Sequence, residues 1–368
     1  MKKIFSLLMV SVIFLIALSG CQQADEVDVG IILPTKEETR WLGDEAKFLK
    51  VIEEEGYNAE ILFSQNSSAT ERTNVETFIT RGAKVIVLCP YDATAAAEAV
   101  EDAEAAGIPV ISYDRLILDT DAVDYYVTFD SKAVGQAQGE FLVEKAGNTT
   151  GNNLYIYSGA LTDNNSFLFF EGAWSVLQPK IADGTFIVQN NDVAMEYKDK
   201  AELTREEKAE IMSVVDSEWS MDVSKSLAEA HLTANDASAK GTVFVRGPAD
   251  DDNARALSDV FHADPEVEEV WITGADGVEG SVQYILDGLQ SMTVYKDPNA
   301  LVTATMDIVD AILAGEEVET DTTYNNGVID VPSIRADVVT VTRDNIVEVF
   351  FEGGVYDPSK FDIPEDLQ

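Results

Sequence analysis

Histidine and cysteine are scarce in this 368-residue chain, two of each, and their scarcity removes whole classes of chemistry. His231 and His262 sit on ordinary surface segments and leave too little material for a histidine metal centre or a Ser-His triad. Cys89 falls inside KVIVLCP, a run predicted as a buried strand where a lone thiol simply packs, so with only Cys21 besides it no disulfide framework is available. Basic residues are few as well: 25 Lys and Arg against 67 Asp and Glu give a formal charge of −42. That excess excludes nucleic acid and anionic lipid headgroups as partners. No GxxxxGK loop is present to cradle a phosphate, and GADGVEG lacks the strand-to-helix setting of a dinucleotide fingerprint. The sequence calls for no cofactor and no metal. The acidic run Ala249 to Asn253 lacks the alternating ligands and turning glycine of a calcium loop and is expected to be surface charge or a helix N-cap.

The N-terminus carries an address. Met1, Lys2 and Lys3 precede an apolar stretch from Ile4 to Leu18, then Ser19-Gly20-Cys21. That order of basic, apolar and small residues predicts an export signal over 1–20, since the apolar stretch is short of the ~20 residues a spanning helix needs. LSGC resembles the lipobox of bacterial lipoproteins. It implies that Cys21 becomes a lipid-modified N-terminus, with 21–26 as a tether to the outer face of the cytoplasmic membrane. Loss of Lys2 and Lys3 with the signal takes the formal charge from −42 to −44.

From VDVGIIL onward, apolar strands alternate with amphipathic helices that stop at or just before a glycine. The strands are continuous apolar runs, which means both faces are covered, as in a parallel sheet flanked by helices. The rhythm restarts after Asp130, so two similar α/β lobes are expected. Met195 to Val215 departs from it, and TREE (Thr204 to Glu207) fits a capping box opening a charged helix, read here as a solvated surface insertion. In open parallel sheets ligands sit beyond the carboxyl ends of the strands. Those ends read ILPTKEETRW, CPYD, SYDR, TFD, SGALTDNN, FVRGPADDD and ITGAD. Asp114 and Arg115 in SYDR point to opposite faces of a strand and are placed to grip something from outside rather than each other. Carboxylates, amides and guanidinia in one cleft suit hydroxyl-rich ligands, and Trp41, Trp219, Phe167 and Phe169 are candidate platforms for a sugar ring, with core packing as the alternative for each.

Over nearly the whole mature length, GIILPTKEETRW, VIVLCPYD, GIPVISYDRLI, VTFDSKAVG, TDNNSF, TGAD, MTVYKDPNAL and TTYNNGVIDVPS resemble the xylose-binding and multiple-monosaccharide-binding proteins of bacterial ABC importers. The resemblance implies a type I periplasmic binding protein: two Rossmann-like lobes, 27–131 plus 297–326 and 132–296 plus 327–368, joined by a three-segment hinge. It further implies a monomer that closes on one aldopyranose (xylose, glucose, arabinose or galactose) and delivers it to ABC permease subunits. Carried over by position, the ligand contacts fall on Arg40, Trp41, Asp114, Arg115, Asn165, Asp276 and Lys296, with Trp219 as a stacking residue. Asn164 reads as a turn neighbour and Lys36 as a solvated lysine. Arg246 departs from the family pattern; it is expected to donate to two hydroxyls of a neutral sugar, to pair with the carboxylate of an acidic one, or to pair with Asp250, Asp251 or Asp252, and repulsion by Asp114 and Asp276 favours the neutral sugar.

Other readings fare worse. Tips that mix Arg and Asn with Asp suit binding better than proton transfer, so no enzyme is expected. A repressor of the same fold would need a DNA-binding headpiece and a basic face. A sugar-sensing accessory of a membrane receptor or kinase stays open beside transport.

Overall fold

The computed structural model describes residues 26–367, so the export signal, Cys21 and residues 21–25 of the tether lie outside the described residues. Strands β1 (Val29–Leu33), β2 (Ala59–Phe63), β3 (Val85–Leu88), β4 (Val110–Tyr113) and β5 (Tyr125–Phe129) form a first sheet. The chain then crosses to a second, built from β6 (Asn152–Ile156), β7 (Phe186–Val188), β8 (Gly241–Arg246), β9 (Val267–Asp276) and β10 (Met292–Tyr295). It returns to the first sheet with β11 (Thr322–Asn325) and β12 (Asp330–Ala336), and ends in the second with β13 (Val339–Thr342). The orders are β11-β12-β5-β4-β3-β1-β2 and β13-β10-β9-β8-β6-β7, parallel throughout except for the β11–β12 and β10–β13 pairs. Three crossings between two doubly wound sheets are the architecture the sequence predicts. Among the described residues no helix is long and apolar enough to cross a membrane.

One expected boundary moves. The return to the second lobe, expected at 326/327, falls inside the β11–β12 hairpin, and β12 pairs in parallel with β5 from Ser333↔Tyr126 to Ala336↔Phe129. The first unit therefore extends to Ala336. The insertion also differs from expectation. The capping box is formed, Thr204 accepting from Glu207 N and Glu207 from Thr204 N, yet Ile211 and Met212 are fully buried in the second core. The chain after them runs beside the end of β6, Ser158 N donating to Val215 O (3.0 Å) and Ser217 N to Ser158 O (2.9 Å). It is a structural support rather than a solvated appendage.

Two glycines set the position of the site helix. Helix Ser131–Ala146, capped by Asp130 at the first crossing, packs against helix Asn164–Ala182. A Cβ at Gly135 would lie 1.9 Å from Phe169 O, and one at Gly172 would lie 2.1 Å from Lys132 O. Only glycine allows the two backbones to come this close. The contact pins the N-terminus of Asn164–Ala182 between the lobes.

Candidate functional site

Helix Thr39–Glu55 begins beyond β1, and Glu38 before it gives no side-chain cap. Instead its carboxylate accepts from Trp41 Nε1 at 2.9 Å and pairs with Arg115 Nη2 at 3.3 Å. Burial raises the Glu38 pKa to about 7 against the opposing pull of Arg115. Arg40 and Asp44, four residues apart, meet on one helix face with Nε 2.7 Å from Oδ2. The other two guanidinium nitrogens of Arg40 reach Asp114 Oδ2 and Asp276 Oδ1, each at 3.1 Å. Burial alone would lower the Arg40 pKa, but Asp44, Asp114 and Asp276 together hold it well above its ordinary value. Arg115, beside Asp114 at the end of β4, lies 3.0 Å from Asp163 Oδ2 through Nε and stands 5.1 Å over the Trp41 ring.

The second lobe answers with carboxylates and rings. Asp163 caps helix Asn164–Ala182 by accepting from Asn165 N. Asn165 Nδ2 then donates across the cleft to Asp114 O at 2.9 Å, where Tyr126 and Thr128 hydroxyls also donate. Asp276 ends β9 with φ 99° and pairs with Lys296 Nζ at 2.7 Å; burial works against its ionisation, but Lys296 and Arg40 hold its pKa below the usual carboxylate value. Behind it, Asp251 accepts from Gly277 N (2.7 Å), Val278 N (3.2 Å), Thr293 Oγ1 (2.9 Å) and Gln290 Nε2 (2.7 Å), fixing that turn. Trp219, delivered by the insertion with φ 57°, rests its indole on Gly159, whose Cβ would lie 2.0 Å from the ring, and meets Phe169 edge to face at 6.4 Å.

Eight of the nine expected ligand contacts, Arg40, Trp41, Asp114, Arg115, Asn165, Trp219, Asp276 and Lys296, line this one cavity. The space between the side chains is about 310 Å³ counted out to its mouths. Asp114, Trp219, Ala249 and Asp276 all line it with left-handed backbone, a conformation that costs non-glycine residues about 1–3 kcal/mol each and gathers at functional sites.

Arg246 is the exception. It follows Phe244 by two positions on β8 and so shares the face turned to the helix core, not the cleft. Its guanidinium is buried, donates from Nη1 to Tyr157 O at 2.7 Å and forms no ion pair among the described residues; burial lowers its pKa to about 9. None of the expectations for it holds. Nor are Asp250, Asp251 and Asp252 surface charges: all three are buried, Asp250 capping helix Asp251–Ala263 and Asp252 accepting from Thr39 N of the other lobe at 3.0 Å. Lys36 is exposed beside Glu45, and Asn164 accepts from Arg205, which stacks over Phe167. Sequence reasoning did not single out Glu38, Asp163, Ala249 and Asp250, which also line the cavity, and left Phe169 undecided. The signal for the two aspartates was present, since each stands between a strand tip and a helix.

Residues 29–317 match the periplasmic binding protein domain. The chain is 33% identical over 338 residues to a multiple sugar-binding periplasmic receptor of Rhizobium radiobacter, covering 90% of this chain and 92% of that one. It is 28% identical to the D-xylose-binding periplasmic protein of Escherichia coli, over 97% of this chain and 99% of the relative. Among solved structures, a carbohydrate transporter solute-binding protein from Chloroflexus aurantiacus in complex with D-glucose superposes with a TM-score of 0.90 at 52% identity, covering 93% of this chain and all (100%) of the other. An ABC transporter solute-binding protein from Clostridium phytofermentans with bound β-D-glucose gives 0.78 at 29% identity, covering 92% and 99%.

Proposed function

The chain belongs to the periplasmic binding protein domain family, and from that premise we propose that it captures a single neutral monosaccharide outside the cytoplasm and delivers it to an ABC importer. An aldopyranose is the ligand class, with D-glucose first among glucose, xylose, galactose and arabinose because two similar solved structures hold it. The observation that carries the reading is the Arg40 guanidinium shared among Asp44, Asp114 and Asp276 between the lobes. A carboxylate offers about four lone-pair sites, so Asp114 and Asp276 keep acceptors for sugar hydroxyls after Arg40 has taken one each. Arg115, Asn165 and Lys296 supply donors, and the flat rings of Trp41 and Trp219 cover the C–H faces of a pyranose. Acylation of Cys21 tethers the monomer to the membrane beside its permease. The name receptor carried by the Rhizobium relative supports sensing as a second reading.

Calorimetry with the four aldoses tests it. Asp114→Ala should fold and bind about ten- to a hundredfold more weakly, the loss expected for one hydrogen bond to a charged group. Unchanged affinity in that variant would refute the assignment of the cleft. Release of Cys21→Ala protein into the medium tests the anchor.

A further inference from the structure

Asp250 stands apart from the other carboxylates of the cleft. Asp114 and Asp276 pair with Arg40, while Glu38 and Asp163 pair with Arg115. Asp250 makes no ion pair among the described residues. Its Oδ1 accepts from Asn253 N at 2.7 Å and Asn253 Nδ2 at 2.6 Å, and its Oδ2 accepts from no group among the described residues. The residue is only 5% exposed, and the little surface it keeps faces the cleft. Its backbone is fixed on both sides, by the left-handed Ala249 before it and by the helix it caps after it. Burial, reinforced by the charge of Asp276, pushes its pKa well above the ordinary carboxylate value.

The charge balance of the cleft points the same way. Five carboxylates line it against three cationic groups, and among the described residues Asp250 is the one of the five without a cationic partner. A uronate would add to that excess. A neutral sugar offers Asp250 a hydroxyl. An ammonium group offers a charged partner in a pocket that supplies Asp250 none. Resting on the monosaccharide reading, we infer that the cleft also takes amino sugars, aminodeoxyhexoses whose ammonium pairs with Asp250 Oδ2 while the remaining hydroxyls use the contacts of the neutral sugar.

Calorimetry on the mature protein at pH 7 would compare the tightest-binding neutral aldose with the 2-, 3-, 4- and 6-amino derivatives of D-glucose and with glucuronate. At least one amino sugar should bind no more weakly than the neutral aldose, and glucuronate should bind most weakly. Asp250→Asn and Asp250→Ser both keep a capping side chain. Each should reduce the amino sugar's affinity at least ten times more than that of the neutral aldose, with melting temperature as the check on folding. Tighter binding of the neutral aldose than of every amino sugar, or equal losses for both ligands in the variants, would overturn the inference and leave the monosaccharide reading standing. If neither a neutral aldose nor an amino sugar binds, the monosaccharide reading itself falls.

Discussion

The two walls of the cleft are built on different plans. The first lobe contributes both guanidinia, each anchored by a carboxylate of its own lobe: Arg40 by Asp44 and Asp114, Arg115 by Glu38. These cations are aimed before the lobes meet. The second lobe contributes Asp163, Asp250 and Asp276, aimed by backbone, through helix caps at the first two and through the turn that Asp251 holds at the third. Bonds between the walls, Arg40 to Asp276, Arg115 to Asp163 and Thr39 N to Asp252, need both lobes closed. Cations steadied by side chains thus meet anions steadied by main chain. Closure adds partners without having to orient them first, which keeps its entropic cost low.

Breaking the first wall should do the most damage. Arg40→Ala strands the buried Asp44 and Asp114 carboxylates and leaves Asp276 with Lys296 alone, and removing one partner of a buried pair typically costs about 3–5 kcal/mol. Sugar binding should vanish by calorimetry and the urea midpoint should fall markedly. On the second wall, Asp251→Asn replaces one acceptor of the turn by a donor. It should weaken sugar binding about tenfold while the protein still unfolds cooperatively, as expected for a loss of ~1.4 kcal/mol. Gly159→Ala must displace the Trp219 ring, since its Cβ would lie 2.0 Å from it. With aromatic contacts worth about 0.5–1.5 kcal/mol, a roughly three- to tenfold affinity loss is expected. The smallest effect separates the walls by pH. The folded-state pKa of Glu38, about 7, exceeds its ordinary 4.5, so its protonation favours the folded state. That contribution is full below pH 4.5 and is lost as pH rises through about 7. Between pH 5 and pH 8 the melting temperature of the wild type should therefore fall relative to Glu38→Gln, which cannot ionise; parallel curves would show that Glu38 does not titrate there.

What was legible in the sequence follows from range. Strands β1 to β9 are apolar runs bounded by glycine or polar tips, so they and the cleft residues at their ends could be read locally. Strand β12 could not, because its sheet membership depends on pairing with β5, some two hundred positions earlier in the chain. Arg246 was misread because both faces of β8 are covered, Phe244 packing in one core and Val243 and Val245 in the other, so alternation could not show whether the last side chain of the strand turns into a core or toward the cleft. Asp163 and Asp250 resemble ordinary helix caps in sequence, and they are caps. Their second role appears only when the opposite lobe is in place, as with Asp163 and Arg115. The insertion looked solvated because its charged residues outnumber Ile211, Met212 and Val215, which are fully buried and anchor it.

The placement of the indoles has a practical consequence. Of the four tryptophans, Trp41 and Trp219 line the cleft, whereas Trp174 and Trp271 do not. Trp41 lies within 5.3 Å of the Arg40 guanidinium and 5.1 Å of that of Arg115, and Trp219 Nε1 has no hydrogen-bond acceptor among the described residues. Indole emission responds to nearby charge and to hydrogen bonding, and both are expected to change for these two rings when the cleft is filled. Cleft occupancy should therefore be readable from the protein's own fluorescence without a dye, through Trp41 and Trp219 over the background of Trp174 and Trp271.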